Sequence, residues 1–403
     1  MISLKRVICA ASAFVGLAWF GAAIAQTAAP PPPPAAPAAP AATPMPYPSM
    51  TAPLAANPNP ATFDAGPFGK IMVDGVLSAD AFWQSNPQFG PFGLTNDSYG
   101  DVTNAQVILN KTDGVIQFYV QAGAYSIPTV GVPYLRTDQL DHNTFGYVPQ
   151  GFVKIVPNST FNVMVGALPT LVGAEYAFTF ENFNVERGLL WNLEPVVSKG
   201  VQLNVSKGPW SASLAWTDGY DSNVYTALSG QVTYTFKNSD TLEFVGEGNV
   251  GTNHVATFVT PLAANNGQIY DLIYTHTKGA WEIQPYLQYQ STPNIRFGGV
   301  LVVPSGTTWG AAVLTKYNFT PTFSVAGRVE YVSSSGGANL LGYGVGSNAW
   351  TITLTPTYQK GIFFVRGELS YAAVGSGTPG FMFGKTGNAD NQTRALVETG
   401  VIF

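Results

Sequence analysis

Little in this chain can carry metal or redox chemistry. Of 403 residues, one is cysteine and three are histidine. Cys9 lies within the first apolar stretch, so removal of that stretch leaves no thiol, disulfide or cysteine metal site. His142, His254 and His276 stand far apart, in neither a Ser-His arrangement nor a metal-ligating spacing. Charge is scarce too: 10% of residues, with 18 basic against 23 acidic. That acidic balance excludes the basic surface that nucleic-acid binding requires. Beyond residue 24 no run reaches the roughly 18 apolar residues of a membrane helix. Yet 46% of the chain is hydrophobic and 13% aromatic. Apolar content spread so thinly suits strands, which offer only alternate residues to an apolar surface.

The N-terminus opens with Lys5 and Arg6, an apolar run from Val7 to Ile24 and the small-residue ending Ala23-Ile24-Ala25. This predicts a secretory signal over 1–25, cleaved after Ala25; the alternative is a retained anchor. Cleavage removes two basic residues and no acidic one, so the mature chain is more acidic. Pro and Ala dominate from Ala28 to about Thr62, with five prolines from Pro30 to Pro34. The expectation over 26–65 is a disordered, polyproline-like periplasmic tether, acting as a spacer, a docking segment or a plain lead-in.

From Lys70 onward the chain alternates. Ile71, Val73, Leu77, Ala79, Ala81 and Trp83 interleave with Lys70, Asp74, Ser78, Asp80 and Gln84, giving one oily and one wet face. The same holds for Trp281, Ile283, Leu287 and Tyr289 against Glu282, Gln284, Gln288 and Gln290. About sixteen such segments follow one another up to Phe403, and an even number returns both ends to one side. The connections alternate in length. Short ones, such as Lys111 to Asp113 and Thr277 to Gly279, are separated by long ones at 85–100, 126–150, 169–198, 218–228, 249–267, 291–307, 333–348 and 373–392. The fold class expected over 66–403 is therefore all-β: a transmembrane antiparallel barrel of about sixteen strands with long external loops.

Outward aromatics form two belts. Trp210, Trp281 and Tyr358 lie beside short turns, while Trp83, Trp216, Trp309 and Trp350 lie where strands meet long loops. Amphipathic rings favour the two headgroup zones of a bilayer, so outer-membrane lipid is the expected surroundings. The last segment ends the chain on Phe403, with Ala395, Val397, Thr399 and Val401 on the same face. A closing strand of this pattern is similar to the C-terminal signal that barrel-insertion machinery reads.

The third long connection differs from the rest. Asn184 is a candidate N-cap, Val185, Leu189 and Leu193 recur at helical spacing, and Glu194-Pro195 stops the pattern, which predicts a short helix in the loop. Glu175, Glu181, Glu186, Arg187, Glu194 and Lys199 concentrate both signs of charge there. Alternation places Asp74, Asp80, Gln117, Gln121, Lys154, Glu243, Glu247, Glu282, Lys316, Arg328, Glu330, Arg366, Glu368 and Arg394 on the inner wall. Arg328, Arg366 and Arg394 facing an acidic loop across an opening would set up a transverse field. The plainer alternative is that wall charges pair among themselves, as Arg328 with Glu330 and Arg366 with Glu368.

Glu175 to Val205, with Asn182, Asn184, Arg187-Gly188-Leu189-Leu190, Glu194-Pro195 and Gly200, resembles the OmpL-like β-barrel porins, as does the later Asp218-Gly219-Tyr220-Asp221-Ser222-Asn223. The chain departs from that family in Ser198-Lys199 before Gly200 and in having a Pro/Ala segment ahead of the barrel. The resemblance implies an outer-membrane channel for passive diffusion of small polar or charged solutes, constricted by an inward-folded third loop. With isolated histidines and no candidate set for an activated nucleophile or paired acids, the residues themselves lead to the expectation of no enzyme and no cofactor. By analogy with porins of this size, a homotrimer is expected. The competing expectation is a structural barrel that displays its loops and anchors the envelope through the Pro/Ala segment. Asp138, Asp141 and His142, like Asn96, Asp97 and Asp101, cluster in loops without calcium-loop spacing, and solvated acids are the expected reading.

Overall fold

The computed structural model describes residues 54–88, 96–257 and 259–403. The signal segment with Cys9 and the tether up to residue 53 lie outside the described residues. A short strand, β1 (Ala61–Asp64), precedes the barrel strands. These are β2 (Lys70–Gln84), β3 (Ser98–Lys111), β4 (Ile116–Tyr125), β5 (Gln150–Ile155), β6 (Phe161–Pro169), β7 (Val197–Lys207), β8 (Trp210–Thr217) and β9 (Ala227–Thr235). They continue with β10 (Thr241–Asn249), β11 (Gln268–Lys278) and β12 (Trp281–Thr292). After the loop hairpin β13 (Ile295–Phe297) and β14 (Val300–Val303) come β15 (Gly306–Thr320), β16 (Phe323–Gly336), β17 (Asn348–Lys360), β18 (Phe363–Gly375) and β19 (Asn391–Ile402).

Each barrel strand pairs antiparallel with its sequence neighbour, and β19 closes on β2 from Arg394↔Gln84 to Ile402↔Val76. The result is a closed barrel of 16 strands, as the alternation predicts. Closure pairs the outer edges of β2 and β19 with each other, as a sheet in a bilayer requires. The two faces separate as expected. On β12, Trp281, Leu287 and Tyr289 are exposed outward while Gln284, Gln288 and Gln290 are buried inward. Along both rims the outward rings pack in tilted pairs, Trp210 with Tyr234 and Trp281 with Tyr317 beside short turns, and Trp309 with Tyr331 and Trp350 with Tyr371 beside long loops. Trp83 and Phe403 stand at opposite ends of the seam between β2 and β19. Phe403 exchanges backbone hydrogen bonds with Gly75 at 2.7 and 2.9 Å, and its ring lies over the space a Cβ at residue 75 would occupy.

The tether expectation is corrected at its end, because order begins before the barrel. Leu54 is fully buried in a cluster with Val76, Phe364 and Ile402, whose side chains point into the lumen, and with Phe178 and Phe180 of the third long loop. The side-chain amide of Gln359 accepts from Ala55 N–H at 2.8 Å and donates to its carbonyl at 2.9 Å. Next, β1 pairs with Lys70–Val73 of β2. The physical reason is an open edge: β19 reaches only Val76, so the first residues of β2 lack a partner on that side.

Candidate functional site

The third long loop, residues 170–196, is folded into the barrel and almost wholly buried. In place of one helix from Asn184 it carries two single-turn 3-10 helices, Thr179–Glu181 and Trp191–Leu193. The difference follows from where the backbone donors go. The N–H groups of Val185 and Glu186 reach Glu368 at 2.5 and 2.8 Å, and that of Gly188 reaches Glu175 at 2.8 Å. Those of Leu189 and Leu190 reach Glu330 at 3.1 and 3.4 Å, and that of Arg187 reaches the Pro128 carbonyl at 2.9 Å. A helix capped at Asn184 would have spent the N–H groups of Gly188, Leu189 and Leu190 on its own carbonyls. Wall carboxylates offer a charged acceptor instead, and charge-assisted bonds are the stronger kind. Gly188 permits the approach, since a Cβ there would fall on the Glu330 carboxylate.

Wall arginines supply the matching donors. Arg328 forms ion pairs with Glu175 at 2.5 Å and Glu330 at 3.1 Å and donates to the Glu186 carbonyl at 2.7 Å. Arg366 donates to the carbonyls of Thr179, Asn182 and Phe183 and lies 3.6 Å from Glu398. Arg394 pairs with Glu186 at 2.8 Å and reaches the carbonyls of Thr129 and Val132 in the preceding long loop. These arginines are at most 1% exposed. The expected arrangement is therefore corrected: the arginines do not look across an opening at an acidic loop but grip it directly. Arg328 does pair with Glu330, whereas Arg366 pairs with Glu398 and not Glu368. The charges of the three arginines are met by direct contacts and not across an opening.

Two cavities flank the gripped loop. One, of about 640 Å³, opens toward the short turns and is bordered by Thr170, Gly173, Tyr176, Gln117, Lys154 and Glu243. The other, of about 460 Å³, lies among the long loops and is bordered by Trp191, Leu193, Glu194 and Val196. Glu194 of the second cavity lies against Gly173 of the first, where a Cβ would overlap its carboxylate. At this place the partition is two residues thick. Tyr286 and Gln288 of β12 hold Glu194 there, the amide of Gln288 donating at 2.8 Å and the Tyr286 hydroxyl to the same oxygen.

The remaining expectations sort as follows. Glu175 and Glu186 bind wall arginines, Glu181 accepts from Phe178 N–H at 3.2 Å within its own turn, and Arg187 lies buried over the Trp191 ring at 5.9 Å. Lys199 is not part of this group: it sits on β7 and pairs with Asp221 at 2.5 Å. Asp74, Asp80, Gln121, Glu243, Glu247, Glu282 and Lys316 alternate inward as expected, and Glu282 lies 3.8 Å from Lys316. Sequence reasoning did not single out Glu398, Asp271 or Tyr286, although their inward parity was available as a signal, and it read Gln288 only as part of a wet face. The Asp218-to-Asn223 turn has a visible purpose: Tyr220 donates to the Leu193 carbonyl at 2.7 Å and so ties the loop end near Glu194. The histidines are spent separately. His254 lies tilted against the Phe297 ring, His142 lies in the last turn of a helix at Thr137–Asn143, and His276 contacts Asp240 at 2.9 Å. Hydrogen bonds from Tyr274 and then His276 hold the carboxyl of Asp240, in a short turn, down at about 2.

A closed 16-strand barrel with an apolar, aromatic-belted exterior, a polar wall and an inward third loop defines the class of outer-membrane porins. Residues 70–403 match the family described as "Putative beta-barrel porin-2, OmpL-like", and the chain belongs to it. No curated protein matches it in sequence. Among solved structures it is similar to a loop-L8-deleted OmpT of Vibrio cholerae, with TM-score 0.56 and 12% identity over 83% of this chain and 99% of that one. An anion-selective porin of Comamonas acidovorans gives 0.55 and 11% over 83% and 99%. OmpF of Salmonella typhi gives 0.55 and 13% over 85% and 100%. At these identities the likeness is one of fold. Family and fold together support an outer-membrane location and a general porin role.

Proposed function

We propose that the chain is a passive diffusion channel for small solutes, whose narrowest place is the Glu194–Gly173 partition beside Tyr286 and Gln288. The observation that carries this reading is the pair of cavities meeting at that partition from opposite ends of the barrel. Charge adds a direction. On the wall of β16, β18 and β19, Arg328, Arg366 and Arg394 each have an ion pair. On the facing wall, Glu243, Glu247 and Asp271 have no ion pair among the described residues, and neither does Glu194. This asymmetry supports a mild preference for cations. In this reading the short-turn end, with Leu54 and the segment before it, faces the periplasm, and the chain works as a homotrimer.

The test is single-channel conductance of the refolded barrel in a planar bilayer under a salt gradient. Glu194→Ala, which joins the cavities, is expected to enlarge the conductance step. Glu194→Gln keeps the bulk and removes the charge, so it should move the reversal potential toward anions at nearly unchanged step size. A barrel that inserts yet passes no current in any of the three forms would contradict the channel and favour the structural reading.

A further inference from the structure

The cavity among the long loops has a lining unlike that of a hydrophilic vestibule. Its walls are mainly apolar and converge from different loops: Ile127, Leu135 and Phe145 from the second, Trp191 and Leu193 from the third, and Leu341 from the seventh. Apolar side chains that line open water gain nothing from facing one another across it. At about 460 Å³ the space is of small-molecule size, and an apolar wall with a few placed polar groups is the usual make-up of a ligand site. The polar side chains on the wall include Thr129, Thr144, Asn192, Gln290 and Asn339, and Glu194 is the one carboxylate among them. No lysine, arginine or histidine is among the lining residues, and Glu194 has no ion pair among the described residues.

We propose that this cavity binds small molecules joining an aromatic or alicyclic ring to an amine, with the ring on the apolar wall beside Trp191 and the ammonium group near Glu194. The proposal rests on the channel reading for its purpose, since the site stands immediately before the partition and so selects what reaches it. It does not rest on that reading for binding. Carboxylates carrying the same ring are disfavoured, because the one carboxylate on the wall, Glu194, repels them and no lysine or arginine lines the cavity. Alkyl amines without a ring are disfavoured because they leave the apolar wall wet.

The experiment is calorimetric titration of the full-length barrel in detergent with benzylamine, ethylamine and benzoate, each corrected against empty micelles. Benzylamine is expected to saturate with an affinity at least about tenfold above ethylamine, the factor that one well-packed ring contributes, and benzoate to give no saturable heat. Trp191→Ala should weaken benzylamine binding about tenfold. Leu340→Ser, a half-buried change on the opposite wall, should weaken it less and guards against a loop lost with Trp191. Lipid-facing Trp309→Ala should leave binding unchanged. Equal binding of benzylamine and ethylamine, or of benzylamine and benzoate, overturns the proposal. Current measurements on the same preparation keep the two readings apart: saturable heat without current removes the channel and retains the site, while current without saturable heat does the reverse.

Discussion

At the residue scale, the interior is organised by buried charges that replace secondary structure. Loop residues 185–190 have no helix because Glu368, Glu175 and Glu330 take N–H groups there and Arg328 takes the Glu186 carbonyl, while Arg366 holds the Phe183 carbonyl just before them. Of the three wall arginines, Arg328 alone bridges two carboxylates, and it also donates to a loop carbonyl. Arg328→Ala leaves Glu175 and Glu330 buried without a counter-ion, which costs about 3–5 kcal/mol. The expected outcome is a loop released from the wall, seen as new protease cleavage within 170–196 while the barrel persists. Arg328→Lys keeps the charge but cannot bridge two carboxylates with a planar fork, so it should rescue only in part. Retained protection in Arg328→Ala would contradict the grip.

At the element scale, the segment from Leu54 to β1 shows how a chain end can become part of a barrel. Leu54 lies under Phe364 and Ile402, Gln359 holds the backbone of Ala55, and β1 covers the free start of β2. Leu54→Ala removes most of the apolar anchor and costs about 2 kcal/mol or more. That corresponds to roughly 30-fold more frequent local opening. Limited proteolysis of the detergent-solubilised protein should then cleave between residues 54 and 60 at a correspondingly higher rate, with the barrel core unaffected. An unchanged cleavage rate would mean that Leu54 does not hold the segment. Composition hid this element, because a run of Pro, Ala and Asn around one leucine carries no strand period, and its partners are more than 300 residues away at Phe364 and Ile402.

At the scale of the whole molecule, the seam between β2 and β19 decides whether the barrel exists. Phe403 shares two backbone bonds with Gly75 and covers that glycine with its ring. Phe403→Ala removes a half-exposed ring and is expected to cost about 1–2 kcal/mol at the seam. The heat-dependent gel-mobility shift of the refolded barrel should move to a lower temperature, and the folded yield should fall. A shift identical to that of the unmodified chain would show that the backbone ladder alone closes the seam.

The period-2 alternation, the even strand number, the parity of loop lengths and the aromatic belts were all legible in the sequence. Each is a local consequence of strands that present one face to lipid and the other to an interior. Which side each wall residue faces was legible for the same reason. What only the tertiary structure decided is who meets whom inside. Loop residues 170–196 carry a helix-like pattern, yet their donors are drawn to carboxylates lying 13 to 183 residues away in sequence. Arg366 chose Glu398 over the nearer Glu368, and Glu194 found Gly173, Tyr286 and Gln288. Parity fixes a direction but not a partner, because partners inside a closed barrel are set by its curvature and by how the loop packs across it.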